Sequence, residues 1–120
     1  MNPKTAFVAI PTQDVERSRA FSVDTLGFRP DAHRRREVWA GDTCYCIWDP
    51  QADAGIPFAP QKSAHIALHV DDIGAARAEL EAKGVEFRAE TFDTGICFLA
   101  LFCDPDGNDL MLHHRHAPYD

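Results

Sequence analysis

His65 and His69 stand four positions apart in HIALHVDD, a stretch whose alternation marks a strand. Both imidazoles then point to one face, but about 13 Å apart, so one metal ion cannot take both without a bulge. His113 opens a second histidine-rich stretch, HHRH at residues 113–116, which reads as a solvated tail. The four thiols are Cys44, Cys46, Cys97 and Cys103. Cys44 and Cys46 share a strand face by alternation, and no pair has the C-x2-C spacing of a structural zinc site. A reactive thiolate needs a cation or a helix N-terminus beside it, and Cys46 on a strand lacks the latter. Asp104 and Asp106 belong to a turn, and Asp71 and Asp72 precede a helix as caps. There is no glycine-rich phosphate loop. The chemistry therefore turns on His65, as a metal ligand or as a polar residue on the wall of a binding site.

The remaining composition narrows the partners. The chain has 120 residues, enough for one ordinary domain, with 45% hydrophobic residues. Its net charge of −7 repels phosphate backbones, so nucleic acid is not an expected partner. No apolar run is long enough to span a bilayer, and the opening MNPKTAFVAI lacks the pattern of a signal peptide, so no membrane partner and a cytoplasmic location are expected. In that reducing compartment the thiols stay free and pack as small apolar side chains. The one basic cluster, HRRR at residues 33–36, reads as a solvated turn.

These residues are positioned by a repeat. Laid on itself so that Phe7 meets His65, the chain matches Val8 with Ile66, Ala9 with Ala67, Ile10 with Leu68, Asp14 with Asp72 and Arg19 with Arg77. Both copies read as a strand, an aspartate N-cap and a helix. The second helix carries Ile73, Ala76 and Leu80 at helical spacing and stops at Gly84. The first spans about Val15 to Thr25, with a weaker stripe of Val15, Phe21 and Leu26, and stops at Gly27. A short strand follows each helix, near Phe28 and near Phe87. Two further strands then close each half, around Gly41-Asp42 in the first and around DPDGN in the second. The prediction is an α+β fold of two tandem β-α-β-β-β modules forming curved mixed sheets. One domain covers 1–120, with module one at about 5–48, a linker at 49–64, module two at about 65–115 and a tail at 116–120. The 49–64 segment has three prolines and no period, and exceeds the roughly 12–15 residues at which structureless loops become uncommon. It is a plain linker or a lid, and Phe58 is the residue that would close over a ligand.

The stretch from Phe7 to Phe28 ending in TLGF, AHIALHVDD at residues 64–72 and DPDGNDLMLHH at residues 104–114 together resemble the vicinal oxygen chelate superfamily, which includes glyoxalase I, the bleomycin-resistance proteins and the extradiol dioxygenases. The likeness runs from Phe7 to about Arg115 and is nearest to small glyoxalase-like members. It implies sheets curved into cups that hold one small ligand, and modules that pair in homodimers. Ser22 departs from the tyrosine the superfamily usually carries after phenylalanine, which implies a less firmly docked first helix. The resemblance places metal ligands on the first and last strands of each module, at Phe7, near Cys46, at His65 and at Met111. A phenyl ring cannot coordinate, and a thioether suits hard divalent cations poorly. Of these only His65 is a clear ligand.

Alternation alone puts Ile66, Leu68, Val8 and Ile10 on the faces toward the helices. The opposite faces collect Phe7, Cys44, Cys46, Trp48, His65, His69, Met111 and His113, and Phe58 joins them if the 49–64 segment is a lid. An apolar and aromatic set with a few polar groups is the chemistry of a small-molecule site. Three readings follow. The first is a metal-free protein that binds a small, partly apolar molecule. The second is a metal-dependent lyase, isomerase or dioxygenase that combines His65 with non-family ligands for zinc, nickel or iron. The third is a structural domain with a vestigial pocket. No catalytic residue is assigned.

Overall fold

The structure, a computed structural model, describes residues 1–119. The chain divides into two compact units, Met1–Gln61 and the segment from Lys62 onward. In the first, β1 (Val8–Pro11) leads to α1 (Val15–Ala20), which continues as a π-helical turn, Phe21–Thr25, and then to β2 (Arg29–Pro30), β3 (Glu37–Ala40) and β4 (Thr43–Trp48). A short helix, α2 (Pro50–Ala54), follows. The second unit repeats the plan with β5 (Ile66–His69), α3 (Ile73–Ala82), β6 (Phe92–Asp93), β7 (Cys97–Cys103) and β8 (Asp109–Arg115). Each unit holds one open four-stranded mixed sheet, in the order β1-β4-β3-β2 and β5-β8-β7-β6. The α+β fold of two β-α-β-β-β modules is therefore observed.

The caps explain where the longer helices begin. Asp14 accepts a hydrogen bond from the Arg17 backbone N–H, and Asp72 accepts one from Ala75. Asp71, read as a cap, instead meets His69 Nε2 at 3.0 Å. The first helix carries a buried polar pair beside its weak apolar stripe. Ser18 and Ser22 are buried one turn apart, and the Ser22 hydroxyl donates to the Ser18 carbonyl at 2.9 Å. A small residue with its one donor satisfied locally lets the helix approach its sheet at no hydrogen-bonding cost.

In each unit the first strand pairs parallel with the last, and the last pairs antiparallel with its predecessor. In the second unit Ile66 is opposite Leu110, and Leu68 is opposite Leu112, which is opposite Ala100. Leu110, Leu112, Ala100 and Phe102 are buried. The corresponding core of the first unit contains Ile10, Val38, Tyr45 and Ile47. Phe87 makes only an isolated bridge to Phe102, and the short strand expected near it lies at Phe92–Asp93 instead. The HHRH stretch also differs from expectation. His113, His114 and Arg115 are part of β8, and His114 Nδ1 contacts the Val70 carbonyl at 2.9 Å.

The DPDGN turn sets the β7–β8 register. Asp104 Oδ1 accepts the backbone N–H groups of Asp106 and Asn108, and its Oδ2 accepts the Asn108 amide at 2.8 Å. Burial raises the Asp104 carboxyl above its ordinary range against these hydrogen bonds. Gly107 closes the turn at φ +90° and donates to the Asp104 carbonyl. Gly107→Val places a β-branched residue at positive φ, so unfolding should become easier by about 1–3 kcal/mol. Urea denaturation measures this, and an unchanged midpoint would remove the turn as the register device.

Candidate functional site

The face of the second sheet that does not carry the buried leucines holds three rows of side chains. Cys103 is opposite Asp109, with His65 one residue before β5 on the same side by alternation. Next come Ala67, Met111 and Leu101, then His69, His113 and Leu99. Leu99, Leu101, Met111 and His113 are half-buried, and Ala67 and His69 are exposed. The strand register thus brings together His65, Met111, His69 and His113 on one face, apolar in the middle and polar at both ends. Phe7, Cys46, Trp48 and Phe58 belong to the first unit. Cys46 is opposite Ala9 and Glu37, Trp48 is opposite Pro11, and Phe7 precedes β1 with 53% of its surface exposed. Phe58 lines a shallow open cleft of about 370 Å³ with Gln13, Asp49, Gln51, Ala52 and Pro57. The 49–64 segment is not structureless, since α2 forms there behind its Asp49 cap.

The residue that organises the polar end was not among the candidates. Asp109 is buried, with 3% of its side chain exposed. Its Oδ2 accepts the Ser63 backbone N–H at 2.7 Å. Its Oδ1 accepts Arg88 Nη2 at 2.6 Å, Lys62 Nζ at 3.4 Å and the Cys103 thiol at 3.4 Å. The Ser63 N–H, against the cost of burial, holds the Asp109 carboxyl down to about 2, with Cys103, Arg88 and Lys62 contributing. Ser63 has φ +68°, a left-handed conformation uncommon outside glycine. His65 Nε2 lies 3.8 Å from Asp109 Oδ2, beyond hydrogen-bond reach, and is buried with no hydrogen-bond partner. A sequence signal for Asp109 did exist. It sits at the DPDGN–strand junction, on the same strand face as Met111, two residues earlier.

The thiols divide sharply. Burial raises the Cys44 and Cys46 thiols above their ordinary range, with the Glu37 carboxylate adding to both. Cys97 lies against the Thr94 hydroxyl at 3.3 Å. Cys103 alone in this group is placed beside both Arg88 Nη2, at 2.8 Å, and Lys62 Nζ, at 3.8 Å. The basic cluster at residues 33–36 is a solvated turn. Asp31 accepts the His33 and Arg34 backbone N–H groups and Trp39 Nε1, which hold its carboxyl down to about 2. Arg35 pairs with Glu16, and Arg36 pairs with Asp53 at 2.5 Å.

Comparison with known proteins fits this architecture. The family model for the glyoxalase/bleomycin resistance protein/dioxygenase superfamily matches residues 4–112. The chain belongs to that superfamily. The uncharacterized protein YaeR of Escherichia coli is 33% identical over 121 residues, covering 90% of this chain and 93% of that one. TnmS3, an antibiotic-binding protein from Streptomyces sp. CB03234, superposes with a TM-score of 0.74 at 28% identity over 95% of this chain and 97% of that one. A superfamily member from Sphaerobacter thermophilus gives 0.71 at 25% identity over 91% and 97%.

The divalent ion implied for the superfamily does not fit the residues present. Met111 is a thioether opposite Ala67 and Leu101, and Phe7 has no donor atom. Asp109 is the carboxylate beside His65, but a guanidinium, an ammonium and a backbone N–H already engage it. Among the described residues no group of three His, Cys, Asp or Glu side chains is arranged to hold an ion. Asp109 also carries a pH signature. Because its folded-state pKa is depressed, its contribution to stability is present above its unfolded pKa of about 3.9 and is lost as pH falls toward 2. Asp109→Asn should therefore lower the urea midpoint most at pH 5 and above, with the gap to the parent narrowing between pH 4 and 2. A gap constant across that range would show that the carboxylate charge is not what stabilises the cluster.

Proposed function

We propose that the chain is a binding protein for a small, partly apolar molecule, held without a metal ion. The observation that carries this reading is the β5-β8-β7 face, where Ala67, Met111 and Leu101 form an apolar strip between the His65–Asp109 cluster and the His69–His113 row. A partly exposed apolar strip with polar groups at its ends can hold a molecule of the same pattern, the polar ends fixing its orientation. Membership of a superfamily that includes bleomycin-resistance proteins supports the reading, as does the fold shared with the antibiotic-binding TnmS3. His65, with its buried unpartnered Nε2, supplies a polar contact to the ligand. Phe7, Cys46, Trp48 and Phe58 are proposed as the first unit's ligand-binding residues.

A thermal-shift screen of aromatic natural products tests this. A ligand at a hundredfold excess over its dissociation constant adds about 2.7 kcal/mol of stability. Met111→Asp should abolish the shift, and His65→Ala should weaken binding by about 1–3 kcal/mol, the cost of one lost partner at a buried polar group. Shifts unaltered by Met111→Asp would move the ligand away from this face.

The same orphaned Nε2 favours a second reading, a metal-dependent lyase, isomerase or dioxygenase in which His65 works with ligands outside the superfamily pattern. Elemental analysis of protein purified without a histidine tag separates the two. The binding reading expects metal near zero in both the parent and His65→Ala, whereas stoichiometric metal lost on His65→Ala establishes the alternative. Each sheet also ends in open strand edges, and pairing of modules between chains would cover them, so a homodimer is proposed. Light scattering at micromolar concentration should report twice the 13.4 kDa chain mass.

A further inference from the structure

Cys103 brings a thiol to the polar end of the proposed binding face. Arg88 Nη2 lies 2.8 Å from Sγ and Lys62 Nζ lies 3.8 Å from it. Both cations are partly solvent-exposed, at 46% and 50%, and Cys103 itself is half-buried rather than sealed. Asp109 supplies one negative charge against these two positive ones. Lys62, Arg88 and Asp109 together carry one unit of positive charge while Cys103 is a thiol, and a thiolate there brings the group to neutrality. The Cys103 sulfur, followed by the Asp109 carboxylate, holds the Arg88 guanidinium above its usual range. Cations beside a sulfur favour the thiolate, the nucleophilic form, and attract anionic reagents. The unpartnered His65 Nε2 beside the same carboxylate leaves a polar atom for a bound group to engage.

We propose that Cys103 is a thiol-modification site selective for acidic low-molecular-weight disulfides, of which oxidised glutathione is the test compound. The Cys103 thiolate, its proton released to solvent, attacks one sulfur of the disulfide. A new S–S bond forms as the old one breaks, and the other half leaves as a thiolate carrying the electron pair. The small disulfide is the oxidant and is itself half reduced. The carboxylates of the reagent meet Lys62 and Arg88, whose side chains reach solvent. In the intact chain the other three thiols serve as internal references: Cys44 and Cys46 sit in environments that disfavour the thiolate, and Cys97 faces a hydroxyl. Because the whole chain carries −7, a preference for an anionic reagent has to come from local cations.

The experiment incubates the reduced full chain with oxidised glutathione or with cystamine, a cationic disulfide, and follows each cysteine by peptide mass spectrometry. Cys103 should form the glutathione adduct at least tenfold faster than Cys97. Its glutathione-to-cystamine rate ratio should exceed that of Cys97 and should fall as salt rises. Lys62→Gln, a substitution at a half-exposed position, should lower the ratio at Cys103 and leave Cys97 unchanged. A Cys103 rate no greater than that of Cys97, or a ratio unmoved by Lys62→Gln, overturns the proposal. These readouts involve neither the apolar strip nor any bound ligand, so they stand or fall independently of the binding function.

Discussion

The parallel pairing of the first strand of each module with its last is the constraint on which the other features depend. Two parallel strands cannot be joined by a tight turn, so the chain must leave the sheet and return. Each module does this through a helix and two antiparallel strands, and the helix packs on the face where the apolar side chains are buried. The opposite face is left with residues of mixed character. In the second unit the register Ala67–Met111–Leu101 and the neighbouring Cys103–Asp109 pair follow directly from that pairing. A slip of one residue in β8 would turn Leu110 and Leu112 out of the core and Asp109 into it.

A buried carboxylate in an acidic chain needs compensation, and Asp109 obtains it from a backbone N–H and two cations drawn from two separate segments. Breaking such a cluster by removing one partner costs more than the cluster contributes as a whole, because a buried charge is left uncompensated. The same arrangement leaves Asp109 poorly suited as a metal ligand, since its lone pairs are already engaged. It also gives Cys103 an environment different from that of Cys44 and Cys46, which lie on a strand whose neighbours include the Glu37 carboxylate. Four cysteines of one chain thus differ in chemistry through their neighbours alone.

Much of this molecule was legible in the sequence because it depends on local periodicity. Alternation separated the core face from the opposite face on β1, β4, β5 and β8, and the aspartates at positions 14 and 72 marked helix starts by a hydrogen bond that spans only three residues. Gly84 and Gly107 marked a helix end and a tight turn because both adopt positive φ, which costs glycine nothing. The repeat, the α+β class and the superfamily follow from these signals in order. Short-range chemistry also explains one misreading. Asp71 is one residue from the true cap and meets His69 instead.

The tertiary structure alone decided which polar groups meet. Lys62, Arg88, Cys103 and Asp109 come from a segment before β5, the connection after α3, the end of β7 and the start of β8, and no spacing in the sequence relates them. Their convergence depends on the strand order β5-β8-β7, a non-local pairing. The sequence by itself determined which faces are apolar and where the helices begin, since each is set by residues within a turn or two, and it singled out His65 as a candidate. The identity of its neighbours, a carboxylate already held by cations and a thiol beside them, depends on through-space electrostatics that only the folded chain brings into range.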